Sequence, residues 1–111
     1  MVTIETHPTN LVMDALGHQT RRDLLALLKE GPLPVGSLAA QLPISRPAVS
    51  KHLRILQKAG LVEYESNGTR NIFRLNPNGF YTARSYVESF WEQALDNFKI
   101  LAESQPEATD G

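Results

Sequence analysis

The chain has no cysteine, which excludes disulfides, thiolate metal sites and cysteine redox switches. It has no apolar run approaching the ~18 residues of a membrane span. The opening MVTIETHPTN lacks the basic and apolar regions of a secretory signal, so the expected compartment is the cytoplasm, with no membrane partner. No serine lies in a nucleophile-elbow pattern, and Gly31-Pro32-Leu33-Pro34 reads as a turn rather than a phosphate loop. Neither an enzyme activity nor a cofactor is expected. Net charge is also scarce, at −1 over 111 residues, but that total conceals a segregation. Residues 1–19 carry −2; residues 20–76 hold nine Lys/Arg against four acids, giving +5; residues 77–111 hold two against six, giving −4. Charge segregated in this way bears on partner choice more than its sum does.

What is present is one domain's worth of patterned chain. Residues 1–8 and 104–111 are polar, carry Pro8 and Pro106, and read as frayed tails around a domain at 9–103. Leu11, Val12, Ala15 and Leu16 predict a short amphipathic helix capped by Thr9 or Asn10. A second helix is expected from His18 to Lys29, and a third, short one from Gly36 to Gln41. Ser45 is a good N-cap for a fourth helix over Arg46–Lys58, with Pro47 in its first turn and Gly60 just beyond its end. The period then drops to two. Val62 and Tyr64 alternate with Glu63 and Glu65, Asn67-Gly68 predicts a type I′ hairpin turn, and Arg70–Leu75 forms the return strand. A long fifth helix over Asn78–Glu103 carries an apolar stripe from Phe80 to Leu101.

This order describes a mainly α winged helix-turn-helix, in which the second helix of the pair enters the DNA major groove and the hairpin is the wing. With Val49, Leu53 and Leu56 turned inward, the fourth helix leaves Arg46, Ser50, Lys51, Arg54 and Lys58 outside. Arg46, Ser50 and Arg54 are spaced by four and form a row. Arginine's planar fork bonds guanine O6 and N7 together, which suits Arg46 and Arg54 to base reading. Lys51 and Lys58 suit phosphate neutralisation. Arg70, just past the hairpin tip, and Arg74 on the same strand face suit a minor groove or a flanking phosphate. Ser45 completes the set of expected DNA-binding residues.

The stretch ISRPAVSKHLRILQKAGLV, Ile44 to Val62, resembles the centre of the ArsR/SmtB family of bacterial repressors. Ala15-Leu16 with Thr20-Arg21-Arg22 is similar to that family's helix start, and Asn67-Gly68-Thr69-Arg70 with Phe73 and Leu75 to its wing. The resemblance implies a homodimer that represses by occupying an operator near a promoter, with the first and last helices forming the interface. The residues agree, because Phe90, Trp91, Ala94, Leu95 and Phe98 give the terminal helix more apolar surface than one side of a small core needs. Leu11 and Val12 of the first helix join that expected interface. A two-fold dimer would set two recognition helices about 34 Å apart and demand an inverted-repeat operator.

Members of the resembled family are often metal sensors. Where its thiolate sensors carry a Cys-Val-Cys type of stretch, this chain reads Pro34-Val35-Gly36, and the terminal helix has no histidine. Glu88, Glu92 and Asp96 align at i, i+4, i+8, a spacing more often met on a solvated helix face than in a cation site. No metal site is expected, and the identity of any inducer, whether small molecule or protein, stays open. His7 falls in the expected tail, His18 is expected to cap a helix, and His52 is read as a structural hydrogen-bonding residue. Winged folds also bind proteins, so the alternative function is an interaction module whose basic helix docks an acidic protein.

Overall fold

The computed structural model describes residues 7–104; of the expected tails at 1–8 and 104–111, residues 1–6 and 105–111 lie outside them. Eight elements follow in order: α1 (Pro8–Leu16), α2 (Gln19–Leu28), β1 (Leu33–Pro34), α3 (Val35–Ala40), α4 (Arg46–Lys58), β2 (Val62–Asn67), β3 (Arg70–Leu75) and α5 (Pro77–Glu103). Five helices and a small antiparallel sheet make a winged helix-turn-helix.

The start of α1 differs from the sequence expectation. Pro8 opens the helix rather than closing a tail, and the cap is His7, whose Nδ1 accepts from the Thr9 amide at 3.2 Å. Proline suits that first turn because its missing N–H has no partner there. The same rule applies to Pro77, which starts α5 behind an Asn76 cap, one residue ahead of the expected Asn78. His18 occupies the N-cap position of α2, yet its side chain makes no capping bond.

The apolar residues of α1–α4 converge on one core. Val12 and Ala15 come from α1, Leu24, Leu25 and Leu28 from α2, Leu38 from α3, and Val49, Leu53 and Leu56 from α4. Leu61, Val62 and Phe73 close it from the sheet side. Val12 is 1% exposed. Its expected place at a dimer interface is therefore corrected, since a side chain spent on the protomer's own core has no surface left for a partner.

Leu33 and Pro34 were expected to be only a turn, but they form an edge strand that pairs with Phe73 and Ile72, giving the sheet order β1-β3-β2. Two residues are too few to show a period, and an edge is where a strand tolerates proline. The β2–β3 register places Val62 opposite Leu75 and Asn67 opposite Arg70. The tip is therefore Gly68-Thr69 rather than Asn67-Gly68. Of the two, only Gly68 has positive φ, +66°, as expected when glycine takes the first central position of a type II′ turn.

A glycine pair joins α4 to α5. α4 ends in a Schellman arrangement, with the Leu61 amide donating to Leu56 O at 2.9 Å and the Gly60 amide to Gln57 O at 2.9 Å. Gly60, at φ +75°, then accepts from the Gly79 amide at 2.7 Å. A Cβ on Gly79 would sit 2.7 Å from Gly60 O and 2.8 Å from Ala59 O, so this approach admits no side chain. Beyond that joint α5 leaves the globule. Phe80 and Ala83 still pack against the core, whereas every residue from Arg84 to Ser104 is exposed.

Candidate nucleic-acid interface

The fourth helix forms as its residues dictate. Ser45 Oγ accepts from the Ala48 amide at 3.3 Å, Pro47 lies in the first turn, and Val49, Leu53 and Leu56 are fully buried. That fixes the rotation of α4 and leaves Arg46, Lys51, Arg54 and Lys58 exposed, with Ser50 half-buried. Burial of one face thus determines which charges point outward.

The row expected on this helix divides into two groups. Arg46 and Ser50 line a cleft of about 420 Å3 whose other walls are Pro34–Ser37 at the start of α3 and Thr69, Arg70 and Asn71 of the wing. The Arg46 guanidinium lies over Gly36, where an added Cβ would be 3.7 Å from its Nη1. Lys51, Arg54 and Lys58 instead border a second concavity of about 500 Å3, together with Ile55 and Gln57. The structure thus brings helix and wing together at Arg46, Ser50 and Arg70, and gathers the other three cations further along α4.

Arg74 does not join them. Its Nε donates to Glu63 Oε2 at 2.9 Å and its Nη1 lies 3.8 Å from Glu65 Oε2. Glu63 raises its pKa, by hydrogen bond first and by charge second. The alternation that set Arg74 on the Arg70 face also set Glu63 directly opposite it in the register. Arg46, Lys51, Arg54, Lys58 and Arg70 make no ion pair among the described residues.

Several residues at the site were not singled out from the sequence. Ser37, Thr69 and Asn71 enter the cleft through the folding of α3 and the wing tip against α4, which no spacing reports. Arg21 was noted only within a motif. It reaches His52 of α4, with Nη1 3.3 Å from Nδ1. His52 takes the structural hydrogen-bonding role expected of it, and its ring also lies 5.0 Å from that of His18.

On α5, Phe90, Trp91, Leu95 and Phe98 are all at least half exposed, with Trp91 at 63%; Ala94 is exposed beside them, and Leu11 of α1 packs half-buried against the core. Glu88 pairs with Arg84 at 2.8 Å. Among the described residues no three His, Asp or Glu side chains converge as a metal site, and no helix is long and apolar enough to cross a membrane.

Comparison with known proteins agrees with this geometry. The family described as "Bacterial regulatory protein, arsR family" matches residues 18–64, from the N-cap of α2 to β2. The HTH-type transcriptional regulator Rv2034 of Mycobacterium tuberculosis is 43% identical over 95 residues, covering 86% of this chain and 89% of its own. The chain belongs to the ArsR family. Another relative, the transcriptional repressor SdpR of Bacillus subtilis, is 37% identical over 73% of the chain and 90% of its own length. Among solved structures, the homodimeric winged helix-turn-helix DNA-binding domain Mb0332 of Mycobacterium bovis superposes with a TM-score of 0.61 at 28% identity, covering 81% of this chain and 83% of that one. The family and these relatives are regulators of transcription rather than enzymes. Within the ArsR family this chain has no thiolate chemistry, since it has no cysteine at all.

Proposed function

We propose that the chain is a cytoplasmic, homodimeric repressor that binds an inverted-repeat operator in double-stranded DNA. The observation that carries this reading is the cleft where Arg46 and Ser50 of α4 meet Arg70 of the wing. Two guanidinium groups and a hydroxyl, with no acid in the lining, suit a phosphate of the DNA backbone. Retracted over Gly36, Arg46 acts there as a positioning contact rather than a base reader. Arg54 stands on the exposed face further along α4 and takes the base-reading role, with Lys51 and Lys58 neutralising phosphates. The Ser45 hydroxyl, whose oxygen already caps α4, retains a proton to donate to a phosphate. Arg74 is left out, because Glu63 and Glu65 already compensate its charge.

The exposed apolar stripe on α5 supports pairing through that helix, with Leu11 of α1 at its edge, and the homodimeric state of the Mycobacterium bovis domain supports the same assembly. Repression as the mode of action is supported by the Bacillus subtilis relative. The test is binding to duplex from the region upstream of the chain's own gene across a salt series. Affinity should fall steeply, with a slope of about 0.9 in log K per log salt for each phosphate neutralised. Absence of salt-sensitive duplex binding would overturn the proposal and favour docking of an acidic protein by α4.

A further inference from the structure

The end of α1 is held by side chains from the next helix. Arg21 Nε donates to Ala15 O at 2.9 Å and Nη2 to Asp14 O at 3.1 Å, while Arg22 Nη1 donates to Leu16 O at 2.7 Å. These are the carbonyls that a helix C-terminus leaves short of partners. The remaining arm of Arg21 points to His52 Nδ1, 3.3 Å away on α4. A guanidinium only donates, so that nitrogen must be bare and the neutral ring must carry its proton on Nε2. Arg21 therefore connects α1, which packs on α5, to the helix that faces DNA.

We propose that Arg21 and His52 are positioning residues for DNA binding: Arg21, anchored on the α1 carbonyls, holds the neutral imidazole and so sets α4 relative to the α1/α5 pair, and protonation of Nδ1 releases that strut. This rests on the DNA-binding reading above. A proton on Nδ1 would replace the acceptor with a donor aimed at a cation. The groups acting on His52 offer it no counter-charge: Arg21 of α2 and His18 at the N-cap of that helix face it, and Lys51 lies beside it on α4. α1 presents backbone carbonyls, already taken by Arg21; its one acid, Asp14, and Asp23 of α2 are not among the groups acting on His52; α3 has no titratable side chain, and Glu63 and Glu65 of β2 pair with Arg74. Burial first, then Arg21, His18 and Lys51, hold the His52 pKa below its ordinary 6.5. The folded state thus binds fewer protons than the unfolded one. The strut is intact above 6.5 and is lost as pH falls through the lowered folded value.

His52→Asn keeps an acceptor near the place of Nδ1 and cannot titrate, whereas His52→Ala removes it. Binding to upstream duplex is measured at about pH 7.5 and at a pH below the titration of His52, which imidazole nitrogen resonances locate in parallel. The wild type should lose about tenfold in affinity on acidification relative to His52→Asn. His52→Ala should be weak at both values, and His52→Asn should restore binding. The resonances should show Nδ1 bare at neutral pH and protonating in step with the loss. Parallel profiles for wild type and His52→Asn, or a protonated Nδ1 at neutral pH, would overturn the proposal. Should His52→Ala fail to fold, the asparagine variant and the resonances decide. If no duplex binds even at neutral pH, the DNA-binding reading fails instead. The strut is then judged by melting: an acid-side loss of Tm absent from His52→Asn supports it, and an equal loss in both overturns it.

Discussion

Two arginines, both basic and both expected to meet DNA, come to different ends in the fold. Arg54 is exposed on α4 without an ion pair among the described residues, and Arg74 lies between Glu63 and Glu65. Arg54→Ala should weaken operator binding by about 1–3 kcal/mol and bulk DNA binding by less. Arg74→Ala should leave both within about twofold, because an exposed and compensated pair contributes little. Competition titrations of operator against random duplex check both, and equal losses for Arg54→Ala on the two duplexes would make it a phosphate contact. Gly79 makes a different kind of prediction. Its replacement by Ala forces a Cβ to within 2.8 Å of two backbone oxygens, which cannot rotate away as a side chain could. Gly79→Ala should cost about 1–3 kcal/mol of stability, visible as a lowered denaturation midpoint.

At the scale of elements, the parts readable from the sequence were those with a long period or a strong local signal. The thirteen residues of α4 were placed at Arg46–Lys58 in sequence and structure alike, because a serine cap, an early proline, a buried row and a following glycine all agree. β1 was not legible, since two residues owe their strand to Phe73 and Ile72, far away in the chain. The hairpin was readable, but its turn was offset by one residue, because Asn67-Gly68 and Gly68-Thr69 both supply a glycine and only the strand register separates them. Of the site, the outward charges of α4 were legible from its inward face. The partners of those charges were not: the Glu63 that compensates Arg74, the wing residues around Arg46, and Arg21 against His52 all depend on tertiary approach. The terminal helix yields the prediction that belongs to this scale. Trp91 is 63% exposed and Phe98 73%, so Trp91→Ala should leave the protomer's core intact while raising the dimer dissociation constant about tenfold or more. Sedimentation across a dilution series reads this directly, and an unchanged constant would remove α5 from the interface.

Across the whole molecule, the nearly neutral −1 resolves into a directed charge distribution. The +5 of residues 20–76 falls on the helix-turn-helix and wing, and the −4 of residues 77–111 is shared equally between the helix that departs from them and the residues that follow it. In the proposed pair, the cationic side faces DNA while the acidic helices repel a second duplex from the back. The joint between Gly60 and Gly79 takes on a meaning at this scale that neither residue has alone. It ties the end of α4, the proposed reading helix, to the start of α5, the proposed pairing helix, through main-chain atoms, without a side chain in the contact. The span between the two reading heads is thereby gauged by the part of a protein that substitution alters least. Changes along the outer face of α4 can then alter which bases are read while leaving untouched how far apart they are read.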